Sequence, residues 1–469
     1  MRSAPFVLFA LAVGVARPAN GDAPAPAPAP APVPATAPSP PRAVPDYSGR
    51  GPEPTTAGEV LLWIPRILLS PLYLVSEYVI RWPLSIVVPA AEDADLPRKI
   101  YDFFTFGPEH KAGFAPVGLL DFGFNPSVGI YAFWNDAFFA GHQLSVHAEA
   151  WPTDWYAASL MERIKIDPHR TVVFHVSELH RPDRVFYGIG PDTLQSYESR
   201  YTQQSLEVGG LLQWRFWRQS RIEAGAGMRI ADMTDGHYGS DPSLTREAAT
   251  QAFQIPYGFD RGYTAEYNRL GLIVDSRRPW PTSAEQATAQ NTVPGSGVHL
   301  EIKGEQGSDV RGSPASGWIR YGGTAGGYID LNQRGRVLGI LVTTMFADPI
   351  GTNAVPFTEL ATLGGDGPMR GYYPGRLIDR SAAAGALHYV WPVGPWLGGS
   401  LEAAVGNVFD QHLEGFRPGR LRFSGSVALT SIGMGDYPIE LLAGCGSETF
   451  EHGGQVDSFR LNLAVNHGF

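Results

Sequence analysis

The stretch Asp457–Phe469 alternates with a period of two: Phe459, Leu461, Leu463, Val465, His467 and Phe469 oppose Ser458, Arg460, Asn462, Ala464, Asn466 and Gly468. Successive side chains of an extended chain point to opposite faces, so this segment has one oily side and one wet side. The same period recurs upstream. Leu144, Val146 and Ala148 alternate with Ser145, His147 and Glu149, and Leu206, Val208, Leu212, Trp214 and Phe216 are set against Glu207, Gln213 and Arg215. Leu338, Ile340, Val342 and Phe346 share a further face. In a soluble sandwich the oily faces would meet each other, and strands would typically run about five or six residues. Many runs here are longer, reaching the roughly ten residues that cross a bilayer at a tilt.

Sixteen such strands can be placed between Ala112 and Phe469, starting near residues 112, 127, 142, 154, 170, 197, 219, 265, 296, 316, 334, 377, 397, 420, 437 and 457. An even number closes an antiparallel barrel, and closure removes the unsatisfied edges that lipid does not tolerate. The 55 glycines and 12 % aromatic residues suit many strands with aromatic girdles. If the first strand rises from the periplasm, most long connections fall on the outer side. Arg277–Gly295 is the exception, and it raises the possibility of a merged or missed strand. The expected fold is therefore all-β: a sixteen-stranded antiparallel transmembrane barrel over residues 112–469, with short amphipathic helices N-terminal to it.

Ahead of the barrel, Arg2 precedes the uncharged run Ser3–Ala16, the layout of a secretory signal peptide over residues 1–22. Residues 23–57 form an Ala/Pro-rich spacer in an extended conformation. Residues 58–111 contain an apolar stretch, Glu59–Pro89, cut by prolines at 65, 71, 83 and 89. That pattern fits short helices lying on the membrane surface, with Arg66 and Arg81 at the phosphates and Trp63 and Trp82 at the interface. A buried helical hairpin or a plug inside the barrel is the alternative. The single cysteine, Cys445, excludes an intrachain disulfide. A net charge of −10 without a basic patch argues against nucleic acid as a partner.

No H-E-x-x-H, Walker loop or G-x-S-x-G elbow occurs, so no catalytic residue, metal or cofactor is expected. The histidines, among them His147, His175, His388 and His412, read as hydrated lumen residues rather than bases.

Between the eleventh and twelfth strands lies Leu363-Gly-Gly-Asp-Gly-Pro-Met-Arg-Gly-Tyr-Tyr-Pro-Gly-Arg376, too rich in glycine and proline to be a strand. In motif and position it resembles the sixth outer loop of the BamA/TamA superfamily of outer-membrane assembly and secretion barrels. In that family the loop folds back into the lumen with an Arg-Gly-Tyr or Arg-Gly-Phe tip. Val274-Asp-Ser-Arg277 followed by Gly295-Ser-Gly297, Phe186-Tyr-Gly-Ile-Gly190, and a terminal strand ending in Phe469 are similar to further family segments. The resemblance implies a lumenal loop motif of Gly364, Gly365, Arg370, Gly371 and Tyr372, and an assembly signal including Phe469, Val465 and Leu463. Nothing before residue 112 reads as a POTRA module, so a POTRA-less member is expected.

A guanidinium inside a narrow lumen needs a carboxylate. The family's usual partner is an acid on strand thirteen, in a segment similar to Leu401-Glu-Ala-Ala-Val-Gly-Asn407, where Ala404 stands at the acid's place. Glu402 is on the same face, about 6–7 Å along the strand, and is the expected partner of Arg370, with Glu149, Glu207 and Asp379 as fallbacks. Two functions compete. One is protein or lipid insertion or translocation through a weakly zipped seam, with outer-membrane lipids, outer-membrane protein clients and the barrel assembly machinery as partners. The other is a static pore or structural barrel. A short register between the first and last strands favours the former.

Overall fold

The computed structural model describes residues 96–465, apart from 152–153, 278–294, 312–315, 332–334, 352, 395–396 and 432–437. Sixteen antiparallel strands form one closed sheet. They are β1 (Ala112–Asp121), β2 (Ser127–Asn135), β3 (His142–Trp151), β4 (Trp155–Lys165), β5 (Arg170–Phe186), β6 (Ser199–Trp217), β7 (Ser220–Asp235) and β8 (Tyr263–Asp275). There follow β9 (Gly297–Asp309), β10 (Ser316–Asp330), β11 (Val337–Ile350), β12 (Ser381–Gly394), β13 (Leu397–Phe409), β14 (Arg422–Ser431), β15 (Ile439–Ser447) and β16 (Val456–Val465). Each pairs with its neighbours in sequence, and β16 returns to β1.

Which way a side chain faces follows the period-two pattern. On β3, Ser145, His147 and Glu149 are buried toward the lumen while Val146 is exposed. On β16, Ser458, Arg460, Asn462 and Ala464 point inward and Phe459, Leu461 and Leu463 outward. Val208, Leu212, Trp214 and Phe216 on β6 and Ile340 and Val342 on β11 are likewise exposed, forming the band that meets lipid.

β8 and β9 pair directly from Asp275↔His299 to Ala265↔Asp309, so no further strand lies between them in the sheet. Strand starts shift by up to four residues, the largest shift being at β12, which starts at Ser381, not 377. Leu377–Asp379 instead turns into the lumen and pairs with Ala361–Leu363 as a separate two-stranded sheet. Helix α1 (Leu96–Phe104) precedes the barrel. Trp63, Arg66, Arg81 and Trp82 lie outside the described residues, as does Phe469.

The long outer connections supply the nearest thing to a globular core. The 236–262 connection, with α2 (Leu244–Ala249), and the 351–380 connection pack together on the outer ends of the strands. Phe357 is fully buried at their centre, with ring centroids 5.5 Å from Phe186, 5.3 Å from Tyr201 and 6.5 Å from Phe259. Leu244, Met233, Trp318 and Ile378 complete the cluster. Phe357→Ala should weaken this packing by about 3–5 kcal/mol, the usual cost of an emptied aromatic site. Limited proteolysis should then cut the 236–262 and 351–380 connections far faster than in the parent; unchanged cleavage would contradict the packing.

Candidate functional site: the lumenal loop and the seam

The 351–380 connection is held inside the barrel at three points. Nearest β11, Glu359 is buried, with Arg229 2.9 Å, Arg320 3.0 Å and the Tyr263 hydroxyl 2.5 Å away. Burial alone would raise its carboxyl, but Arg320 and Arg229 hold it below the ordinary range. Nearest β12, Arg376 is buried against Thr193, donating to its side chain at 2.8 Å and its carbonyl at 3.0 Å. Its guanidinium lies 4.6 Å from the Tyr187 ring. Tyr187 belongs to the Phe186-Tyr-Gly-Ile-Gly190 segment, whose Gly190 N–H donates to the Ile378 carbonyl.

The tip is the third point. Glu402 does receive the loop, through the backbone: it accepts the Met369 N–H at 3.1 Å and the Arg370 N–H at 3.4 Å. The Arg370 guanidinium passes it and pairs with Glu440 of β15. The expected Arg370–Glu402 ion pair is therefore corrected to Arg370–Glu440. The reason is the turn: Met369 adopts φ +70°, which aims two successive amides at β13 and carries the side chain on to β15. None of the fallback acids is the partner. Glu149 is engaged by His147 and Ser127, Glu207 by Arg229 and His175, and Asp379 by the Arg380 N–H. Glu440 was readable as an inward acid, since Glu440 and Leu442 share a face opposite the exposed Ile439 and Leu441. What a linear reading lacks is that closure brings β15 to the tip.

Gly371 lies flat on β15. A Cβ there would sit 2.0 Å from the Cys445 carbonyl oxygen, so no side chain fits. Its N–H donates to Ser424 Oγ at 2.9 Å, and its carbonyl accepts from Ser458 Oγ at 3.3 Å. Tyr372 fills the notch left by Gly446, where a Cβ would be 2.3 Å from the ring. The Tyr372 hydroxyl lies 2.6 Å from the Ser447 carbonyl and accepts the Ser447 N–H at 2.7 Å, and burial pushes its pKa up to about 12. Beside the tip, Arg370, Glu402, His388 and Arg277 line a cavity of about 410 Å³.

The loop also reaches the closure of the sheet. Among the described residues, β16 meets β1 at three positions: Asn462↔Asp121, Leu463↔Leu120 and Ala464↔Leu119. Every other adjacent pair is joined over seven positions or more. At the outer end of this seam, buried Arg460 of β16 and Asp121 of β1 form an ion pair at 3.1 Å. The Gly365 carbonyl caps Arg460 at 2.6 Å, and the Tyr373 hydroxyl donates to the Phe122 carbonyl at 2.9 Å. Gly364 shapes the same turn at φ +102°. Leu463 faces outward at the seam, while Phe469 and the Val465 side chain are outside the described residues.

Among the described residues, several histidines make polar contacts with carboxylates, hydroxyls or backbone. In a buried Ser–acid–His cluster, Glu149 lies between the other two, accepting from the Ser127 hydroxyl through one oxygen and lying 2.7 Å from His147 Nε2 through the other. His175 contacts Glu207, and His412 contacts Tyr321 and Asp348. No group of side chains suited to a metal occurs among the described residues.

Residues 281–430 match the Omp85 superfamily domain. The fold resembles that of BamA from Haemophilus ducreyi lacking POTRA domains 1–3, with a TM-score of 0.51 at 13 % identity over 76 % of this chain and 70 % of that one. CdiB from Acinetobacter baumannii aligns with a TM-score of 0.46 at 10 % identity, over 76 % of this chain and 60 % of its own. No curated protein matches.

The anchors differ in kind, and so should their variants. Arg370→Glu and Glu440→Arg should each lower the temperature at which the barrel loses its compact gel mobility, since breaking a largely buried pair costs about 3–5 kcal/mol. Their combination should recover part of the loss. Glu402→Gln should be nearly silent because an amide oxygen still accepts both N–H groups. Additive losses, or a Glu402→Gln defect as large as Arg370→Glu, would overturn this division of roles.

Proposed function

We propose that this chain is an outer-membrane β-barrel of the BamA/TamA type, as the match of residues 281–430 to the Omp85 superfamily domain and the BamA-like fold support, and that it inserts or translocates outer-membrane proteins or lipids through the seam between β1 and β16. What supports this reading is the seam, joined at three positions among the described residues. A sheet in lipid keeps its peptide groups paired because unpaired ones cost several kcal/mol each. A sheet opens where the fewest bonds are broken, and among the described residues this ladder is the shortest. The strand so exposed offers its edge to an incoming strand, the general mode of β-augmentation.

The lumen supports the same reading. It is occupied by the 351–380 loop, anchored by Glu359, Arg370, Tyr372 and Arg376. A static pore would need that space open. Outer-membrane lipids and unfolded barrel proteins are the partners this mode requires, and the barrel assembly machinery is the expected route for the chain's own insertion.

Leu120 and Leu463 are opposed across the seam and both face outward. In a Cys445→Ala background, Leu120→Cys/Leu463→Cys closes the seam with a disulfide. Reconstituted protein should accelerate folding of a urea-unfolded barrel into vesicles at least tenfold, oxidation should abolish the acceleration, and reductant should restore it. Acceleration untouched by oxidation would reject the seam, and steady ion conductance without acceleration would favour the static pore.

A further inference from the structure

Strand β1 has two lateral edges. On one, Ala112 and Gly113 face Trp134 and Phe133 of β2. On the other, the same two residues pair antiparallel with Phe106 and Thr105, directly after α1. That second edge is the one β16 takes at Leu119–Asp121. The seam edge of β1 is thus shared: β16 holds its outer end, and the chain's own upstream segment holds its inner end.

We propose that Thr105–Phe106 is a displaceable cap, an autoinhibitory strand that occupies the inner end of the β1 edge and leaves when another strand pairs there. The inference rests on the seam reading above and adds the element that keeps the edge covered at rest. Exposed edges template unwanted pairing, and covering one with a short strand is a recognised protection.

The cap is specifically seated. Thr105 is buried, and its hydroxyl donates to the Tyr101 carbonyl at 2.6 Å and lies 2.7 Å from His110 Nδ1. The Phe104 ring meets Phe114 edge-on at 5.4 Å. Phe104 crosses so close to β1 that a Cβ on Gly113 would lie 2.7 Å from its carbonyl oxygen.

It is also built to leave. It makes two register pairs, against eight between β1 and β2. The turn returning to β1 places two residues that carry a Cβ, Glu109 at φ 60° and His110 at φ 53°, in the left-handed region, a conformation that release would relax. Phe106 is 55 % exposed and Phe103 74 %, so little buried apolar surface is lost on departure.

The test is a reversible lock. In the full chain with Cys445→Ala, Phe106→Cys/Ala112→Cys joins the cap to β1, while the seam pairs at Leu119–Asp121 stay untouched. Reconstituted in phosphatidylethanolamine/phosphatidylglycerol vesicles, the oxidised form should accelerate folding of a urea-unfolded eight-stranded barrel at least tenfold less than the reduced form. Equal acceleration in the two forms would overturn the proposal. If neither form accelerates folding, the insertion reading fails and hydrogen exchange decides the cap by itself. Amides of residues 104–113 should then exchange at least tenfold faster than those of residues 127–135 when reduced, and at a similar rate when oxidised. Equal protection of the two segments in the reduced protein would overturn the cap, whatever the function.

Discussion

A sheet surrounded by hydrocarbon has no water to satisfy its peptide groups, so every edge must be closed by another strand. Fifteen of the sixteen junctions here meet that demand with long ladders, and the sixteenth meets it over three positions among the described residues. Among the described residues, that junction is the place held by the fewest ladder bonds. Two other contacts compensate at that place: the buried Arg460–Asp121 pair at the outer end and the Thr105–Phe106 strand at the inner end.

The lumenal loop is part of the same arrangement. A barrel turns its apolar side chains toward lipid, so the interior cannot be held by hydrophobic burial alone. It is filled instead by a folded connection whose fixed points are polar: Glu359 to Arg229 and Arg320, Arg370 to Glu440, and Tyr372 to the Ser447 backbone. Unpaired charges at such positions are costly, which makes these contacts specific as well as stabilising. The loop touches β16 through Gly365 and Gly371 and the residue that follows β1, Phe122, through Tyr373. Its position and the state of the seam are physically linked.

Much of this was legible from local periodicity. Sixteen strands, their inward and outward faces, and a loop after β11 follow from a period of two and from a glycine-rich interruption; that this loop enters the lumen is what its resemblance to the BamA/TamA loop implies. Contacts made by closure were harder to read. Glu402 is the partner expected for Arg370 because the family resemblance places an acid on strand thirteen and period two puts Glu402 on the same face, whereas the loop turns at Met369 and its guanidinium reaches β15. The Leu377–Asp379 segment reads as the start of a spanning strand, yet it pairs inside the lumen. Neither the length of the seam nor the cap has a local signature, because both depend on which residues of distant or irregular segments come to lie side by side.

The central claim is that the β1–β16 junction is the mobile one. Pulsed electron resonance distances between spin labels at Leu120 and Leu463, in the Cys445→Ala protein in bilayers, test it most directly. A matched pair at Leu206 and Ile230, opposed on β6 and β7, serves as reference. The account predicts a short and a longer population across the seam and one narrow population at the reference. A single narrow distribution at both sites would contradict it.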